Sequence, residues 1–293
     1  MKFKSNLLLV LGTLTLASLS CSSDSSTGQV QISGGASSIE TAERIISLSP
    51  TATEILFALE AGSQVIAVDD QSNFPEIAPM TSLSGYTPNI ESIAEYQPDL
   101  VVASYDPGDL VAGLKVLEVA TLLQPAASSM EDTYVQINEL GVLTGRQFEA
   151  SELIKSIKSD LDEIASKKVG EGLTYYHEVD NTLYSPTSKT FLGKLYSLLG
   201  LSNIADPAIE GGFGWPQLSA EFIIDANPDL IFLGNANWGE TAETVAARPG
   251  WGSMTAVEKS QVIPVDTDTS GRWGPRVVDF LKSIRSAIEK ISG

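Results

Sequence analysis

The sequence predicts an α/β protein of two similar lobes joined by a single long rigid α-helix, and three observations lead there. The first is the stretch from Arg146 to Lys168, where Leu153, Ile157, Leu161 and Ile164 recur at i, i+4, i+8 and i+11 and Ile154 widens the stripe. Charged residues fill the remaining faces, and neither Pro nor Gly interrupts the pattern. That is an amphipathic helix stiff enough to act as a strut, about 30 Å long at about 1.5 Å per residue. The second observation is a phrase written once on each side of the strut. Glu91, Ile93, Pro98, Asp99 and Leu100 are matched in register by Glu221, Ile223, Pro228, Asp229 and Leu230, each copy ending in two further apolar residues. Each copy predicts a short helix, a Pro-Asp turn and a buried strand. The third is the alternation of strand and helix patterns on both sides, the signature of parallel sheets.

The 293 residues suffice for two ordinary domains, and a composition of 43% hydrophobic and 19% charged residues is globular. A net charge of −19 with a pI near 4.3 argues against nucleic acid, whose phosphates the chain would repel, and against an anionic membrane as a direct binding face. One Cys and one His permit neither an internal disulfide nor a clustered Cys/His metal site. At the N-terminus, Lys2 and Lys4 precede a mostly apolar run from Leu7 to Leu19, short for a membrane span and suited to a signal peptide. Cys21 stands where cleavage would fall, in a Leu-Ala-Ser-Leu-Ser-Cys context similar to a bacterial lipobox with Ser18 in the place of the usual leucine. The sequence therefore divides into a lipoprotein signal peptide (1–20), a Ser/Gly-rich flexible tether (21–38), a first lobe (39–145), the connecting helix (146–168) and a second lobe (169–293).

In the first lobe, Arg44 to Ser49 is a strand, and Ser49-Pro50-Thr51 with Thr53 and Glu54 opens a helix through Ser/Thr capping and Pro in the first turn. That helix, Glu54 to Leu59, stops at Gly62. Gln64 to Asp69 is the next strand, and the first repeat copy ends in the strand Leu100 to Ser104. Ser129 with Asp132 has the form of a capping box and starts a helix running to Leu143, and Gly145 closes it. Gly170 and Gly172 are placed to stop the strut. In the second lobe, Leu173 to Val179 is a strand, Phe191 to Leu199 a helix closed by Gly200, and Asn203 to Ala205 a short strand. The second repeat copy follows the loop Gly211 to Gln217. A strand from Gln261 to Val265, a loop from Asp266 to Pro275 and a helix from Val277 to Ile291 complete the chain.

Ligands of parallel sheets bind in the loops after the strands. Those loops carry aromatics: Tyr86 with Pro88 and Trp215 with Pro216 before the two repeat copies, then Tyr105, Trp238 and Trp273. If the lobes face each other, these rings line one cleft and offer large apolar contact at small entropic cost. Arg272, beside Trp273, is the one loop arginine placed to meet an anionic group, which favours a largely neutral ligand. Glu91 and Glu221 fall in the first turns of the repeat helices, where a carboxylate suits the helix dipole. They also form a matched pair, one per lobe, suited to basic residues on a two-fold partner. Catalytic signals are few. His177 lies inside a strand and suits packing better than proton transfer. No nucleophile elbow, phosphate loop or dinucleotide glycine pattern occurs, and the Asp69-Asp70 pair is expected by chance on so acidic a chain.

Taken together, Arg44 to Glu54, Asn89-Ile-Glu91 with Pro98-Asp99-Leu100, the strut, and Trp215-Pro-Gln-Leu-Ser-Ala-Glu221 resemble the substrate-binding proteins of metal-chelate ABC importers. These are the vitamin B12 and ferric-siderophore receptors, with two Rossmann-like lobes, a rigid connecting helix and a ligand cleft between the lobes. The Trp215-Pro216-Gln217 stretch is similar to the cobalamin receptors in particular, although Gly85-Tyr86 stands where a tryptophan is common in them. The resemblance implies a non-enzymatic, monomeric receptor outside the cytoplasm, lipid-anchored through Cys21, with no cofactor and no protein ligand to the metal. It implies that Pro50, Tyr86, Tyr105, Trp215, Trp238, Arg272 and Trp273 contact the chelate, a corrinoid first and a ferric siderophore or haem second. Glu91 and Glu221 would grip arginines of the two permease subunits. An extracellular α/β enzyme and a surface interaction protein without a small ligand are the alternatives from other classes.

Overall fold

The computed structural model describes residues 41–208 and 213–292. The segments read as signal peptide and tether, with Cys21, and the Gly211-Gly212 part of the Trp215 loop lie outside the described residues. The first lobe runs β1 (Ile45–Leu48), α1 (Pro50–Ala58), β2 (Val65–Val68), α2 (Ile90–Glu95), β3 (Leu100–Ala103), α3 (Leu110–Val116), β4 (Ala120–Leu123) and α4 (Met130–Leu143). The strut is α5 (Gln147–Lys167). The second lobe runs β5 (Thr174–Glu178), α6 (Phe191–Leu198), β6 (Ser202–Asn203), α7 (Ala220–Ala226), β7 (Leu230–Leu233), α8 (Ala242–Ala246), α9 (Thr255–Glu258), β8 (Val262–Pro264), α10 (Thr267–Ser270) and α11 (Val277–Ser292).

Both lobes are built on four-stranded sheets of the same strand order, β2-β1-β3-β4 and β6-β5-β7-β8, parallel throughout. The repeated Pro-Asp phrase has the same job in each. Asp99, at the start of β3, accepts from the backbone amides of Glu43 and Arg44 at the start of the neighbouring strand (2.8 and 3.1 Å). Asp229, at the start of β7, accepts from the amide of Thr174 at 2.8 Å. Partner and aspartate are 55 residues apart in both pairs. The carboxylate satisfies amides that the sheet edge leaves without carbonyl partners, which locks the register of the central strand pair.

Ser49 accepts from the Ala52 amide and Pro50 occupies the first turn, so α1 begins four residues before the predicted Glu54. The capping box at Ser129 and Asp132 is formed in both directions. Two first-lobe elements had no sequence assignment. The strand β4 is four residues long without alternation, and α3 contains Gly113, a weak helix former against which the Ile90 side chain packs, where a Cβ would stand 2.2 Å from Ile90 Cδ1. The strut buries Ala150, Ile157, Leu161 and Ile164, while Leu153 and Ile154 are half-buried. It packs against α4 on one side and α11 on the other, where Lys282 meets Asp160 at 3.0 Å. Its stop differs from the expectation: Lys168 itself takes the left-handed conformation, φ 39°, ahead of Gly170 and Gly172.

The second lobe fills the two faces of its sheet differently. On one face Tyr176, Ile231 and Leu233 pack with Ile223, Trp251 and Met254. On the other, Tyr196 stacks on Phe232 (centroids 4.9 Å) and meets Tyr175 at 4.5 Å and Phe280 of α11 at 5.5 Å. His177 belongs to this face. It is buried, its Nδ1 is 2.9 Å from the Tyr196 hydroxyl, and burial pushes its pKa down to about 3. A neutral imidazole inside a sheet is a packed side chain.

This predicts an acid-sensitive stability with a defined sign. Between about pH 6.5 and 3 the unfolded chain carries a proton at His177 that the folded chain refuses, so stability is full above pH 6.5 and falls as the pH drops. Urea unfolding at a series of pH values should show the decline shallower in His177→Gln than in the parent, by up to about 1.4 kcal/mol per pH unit in that window.

Candidate ligand site

The carboxyl ends of the first-lobe strands open onto one cavity of about 320 Å³. β1 leads to Ser49, Pro50 and Thr51 in its wall, β2 to Asp69 and Gln71, and β3 to Ser104 and Tyr105. The loop before α2 adds Gly85 and Tyr86. The opposite wall comes from the other end of the chain: Thr267, Asp268, Gly271, Arg272 and Trp273, which follow β8. Five of the seven residues predicted to contact ligand, Pro50, Tyr86, Tyr105, Arg272 and Trp273, therefore meet in one wall-to-wall space although up to 223 positions separate them in the sequence. Tyr86 presents an exposed ring, its loop fastened by the Ser84 hydroxyl, which accepts from the amides of Tyr86 and Thr87. The Tyr105 hydroxyl donates to the Tyr86 carbonyl at 2.6 Å, which ties the two rings' loops together.

Trp215 and Trp238 do not line this cavity. Trp238 ends the short turn Ala236–Trp238 after β7 with most of its surface exposed, and its neighbour Asn237 donates to Thr267 in the cavity wall at 2.7 Å. Trp215 is partly exposed on a loop held by Ser185 donating to the Pro216 carbonyl and Thr187 to the Gly214 carbonyl, beyond the carboxyl end of β5.

Arg272 is in the wall, but its guanidinium is already engaged and buried. Nη1 donates to Glu54 Oε1 at 2.8 Å, and Nη2 to the Gln71 carbonyl, Asn73 Oδ1 and Asp268 Oδ1 at 3.0, 2.8 and 3.0 Å. Arg276 adds a second contact to Glu54 Oε1 at 3.0 Å, its guanidinium lying over the Phe74 ring. The expected partner of Arg272 was an anionic ligand group; the carboxylates it meets are the protein's own. Burial pushes the Glu54 pKa up and the two arginines oppose that rise, so Glu54 is a buried carboxylate held by cations from the far end of the chain. Trp273 is fixed on the same lobe, its Nε1 donating to Gln136 Oε1 and its carbonyl accepting from Thr133, both at 2.8 Å.

Sequence reasoning missed Asp69 as a wall residue and set the Asp69-Asp70 pair down to chance. Asp70 is exposed, but Asp69 is buried at the end of β2, with Oδ1 accepting from the Ser72 hydroxyl. The available signal was its position directly after a buried strand. Glu91 and Glu221 occupy equivalent places, exposed in the first turns of α2 and α7 behind the caps Asn89 and Ser219, and neither makes an ion pair among the described residues. No group of three or more His, Cys, Asp or Glu among the described residues is placed to hold a metal ion, and no helix among them is long and apolar enough to cross a membrane.

Two parallel sheets of one strand order, joined by a long helix, with a cavity at the carboxyl ends of the strands, define a two-lobed binding protein. The family model described as "Periplasmic binding protein" matches residues 45–269, and the chain belongs to that family, as its resemblance to the metal-chelate receptors implied. It is 30% identical over 257 residues to the uncharacterized ABC transporter substrate-binding lipoprotein YvrC of Bacillus subtilis (strain 168), covering 84% of this chain and 80% of that protein. It is 24% identical over 265 residues to a vitamin B12-binding protein of Pectobacterium carotovorum, covering 85% of this chain and 90% of that one. Among solved structures, a possible iron-binding (periplasmic solute-binding) protein from Staphylococcus epidermidis superposes with a TM-score of 0.74 at 27% identity, covering 85% of this chain and 99% of that chain.

The Glu54 cluster yields a stability prediction. Arg272→Met should lower the unfolding free energy by about 1.5–3 kcal/mol, because it leaves the buried Glu54 carboxylate with Arg276 alone, and adding Glu54→Gln should recover part of that loss. Urea titration of the two single variants and the double variant measures both.

Proposed function

We propose that this protein is an extracytoplasmic, lipid-anchored substrate-binding protein that captures a metal chelate, a corrinoid such as cobalamin, and delivers it to an ABC permease. The observation that carries this is the cavity itself: aromatic side chains from two ends of the chain converge at the carboxyl ends of the strands, and the single arginine in the wall is occupied by protein carboxylates. Such a surface suits a large, flat-faced ligand without carboxylates, bound by ring contact and hydrogen bonds. The cavity forms the floor of the proposed site; the exposed rings of Trp238 and Trp215 stand outside its wall, and Trp238 is tied to it only through its neighbour Asn237, which donates to Thr267. Likeness to a vitamin B12-binding protein over most of both chains supports the corrinoid choice. Likeness to a possible iron-binding protein supports ferric siderophore or haem as the second reading.

Lipid anchoring rests on Cys21 after an apolar leader, and the Bacillus relative is described as a lipoprotein. Docking rests on Glu91 and Glu221, exposed at equivalent places of the two lobes and suited to a basic residue on each permease subunit.

Titration with cobalamin, followed by tryptophan fluorescence and calorimetry, should show saturable one-to-one binding. Tyr86→Ala should weaken it about tenfold, the loss of roughly one ring contact. No response to cobalamin, ferric siderophores or haem would sink the receptor reading. In a reconstituted importer, Glu91→Arg with Glu221→Arg should abolish uptake while leaving chelate affinity within about twofold of the parent.

A further inference from the structure

Asp69 is the most deeply buried ionisable group that faces the cavity, with 1% of its surface exposed. One of its oxygens is used: the Ser72 hydroxyl donates to Oδ1. No side-chain donor reaches Oδ2 among the described residues. That oxygen lies against Gly85, where a Cβ would stand 2.7 Å from it and 2.6 Å from the Leu48 carbonyl. Glycine at 85 is therefore the residue that fits against Oδ2 without displacing it or the Leu48 carbonyl. Burial pushes the Asp69 pKa up and the neighbouring Asp70 adds to the rise, while hydrogen bonds from the Ser72 hydroxyl and amide and the more distant charge of Arg272 oppose it.

The charges around it do not cancel. Glu54, Asp69 and Asp268 stand at or directly behind the wall, against the guanidiniums of Arg272 and Arg276. Both arginines spend their contacts on Glu54, and Arg272 also on Asp268, so Asp69 is the carboxylate left without an ion-pair partner. A ligand carboxylate entering this space meets an unpaired like charge and no free cation. A ligand N–H meets an acceptor that is already desolvated and held in place.

Resting on the receptor reading, we propose that Asp69 sets the chemical class of the ligand: it accepts a hydrogen bond from an amide or ammonium group on the rim of the chelate and rejects chelates whose rim carries carboxylates. Recognition of this kind works by penalising the wrong partner as much as by rewarding the right one.

The test uses ligand pairs that differ in rim charge, titrated into the full chain at pH 7.5 by calorimetry. The first pair is cobinamide, whose corrin rim carries amides, against cobyrinic acid, whose rim carries carboxylates. The second is ferrioxamine, a hydroxamate chelate with amide and ammonium groups, against haem, with two propionates. In whichever pair binds, the amide-bearing member should bind at least about tenfold tighter, and Asp69→Asn should cut that ratio at least about fivefold by restoring the carboxylate partner. A second neutral variant, Asp69→Ser, should cut the ratio in the same direction, which keeps the proposal testable if Asp69→Asn fails to fold. Equal or tighter binding of the carboxylate member would overturn the proposal and leave the receptor reading intact. So would an unchanged ratio in a folded Asp69→Asn. Binding of none of the four would take down the receptor reading and the proposal together.

Discussion

Glu54 sits at the centre of this structure's constraints. Its carboxylate is almost wholly buried in α1 and accepts from Arg272 and Arg276, which lie 218 and 222 residues further on. A buried carboxylate left alone would be costly, and it is tolerated here because two guanidiniums converge on one of its oxygens. The consequence reaches well beyond one ion pair. The segment after β8 is pinned onto the first lobe, which carries Asp268, Arg272 and Trp273 into the cavity wall. Asn73 to Asp268 and Trp273 to Gln136 tighten the same seam. The cavity is thus shaped by a contact between the two ends of the chain.

The strut and the seam act together. α5 lies between α4 and α11, so it is packed against a helix from each half of the chain. Lys194 of α6 donates to the Ser128 carbonyl at the head of α4, a further polar tie across the halves. A long helix buried along one face and tied at several points resists bending, because any hinge would break packed contacts and buried ion pairs at once. The site is accordingly preorganised, with its rings held by neighbouring backbone: Tyr86 by Ser84 and Tyr105, Trp273 by Gln136 and Thr133. Preorganisation lowers the ordering cost of capturing a ligand.

The two lobes share a plan and have diverged in filling it. Strand order, the Asp99 and Asp229 register locks and the acidic first turns of α2 and α7 coincide. The second lobe packs one face with Tyr175, Tyr196, Phe232 and Phe280, whereas the first-lobe cluster around Ile46, Val101 and Leu114 is largely aliphatic among the described residues. Its Glu178 is paired bidentately by Arg248 and bonded to Asn235, which anchors the start of the turn that presents Trp238. The polar cavity floor lies instead at the first-lobe strand ends.

What the sequence determined by itself is whatever repeats locally or periodically. The strut could be read from its stripe, α1 and α4 from their caps, the strands other than β4 from short apolar runs, and the two-lobe plan from a phrase written twice, because each depends on neighbours within a few residues. Tyr86, Tyr105 and Trp273 were legible as site candidates because the sequence places them in loops beside predicted parallel strands. What only the tertiary structure decided is how distant charges pair and which loops meet. Glu54 and Arg272 carry no mark of each other in the sequence, so Arg272 read as an open cation. Asp69 read as one acid among many in a chain of 37, although burial beside Gly85 makes it unlike the rest. Trp215 and Trp238 share the composition of the cavity rings and stand outside its wall. Periodicity is a property of the local chain, whereas the partner of a buried charge is fixed only when packing excludes water and leaves one neighbour within reach.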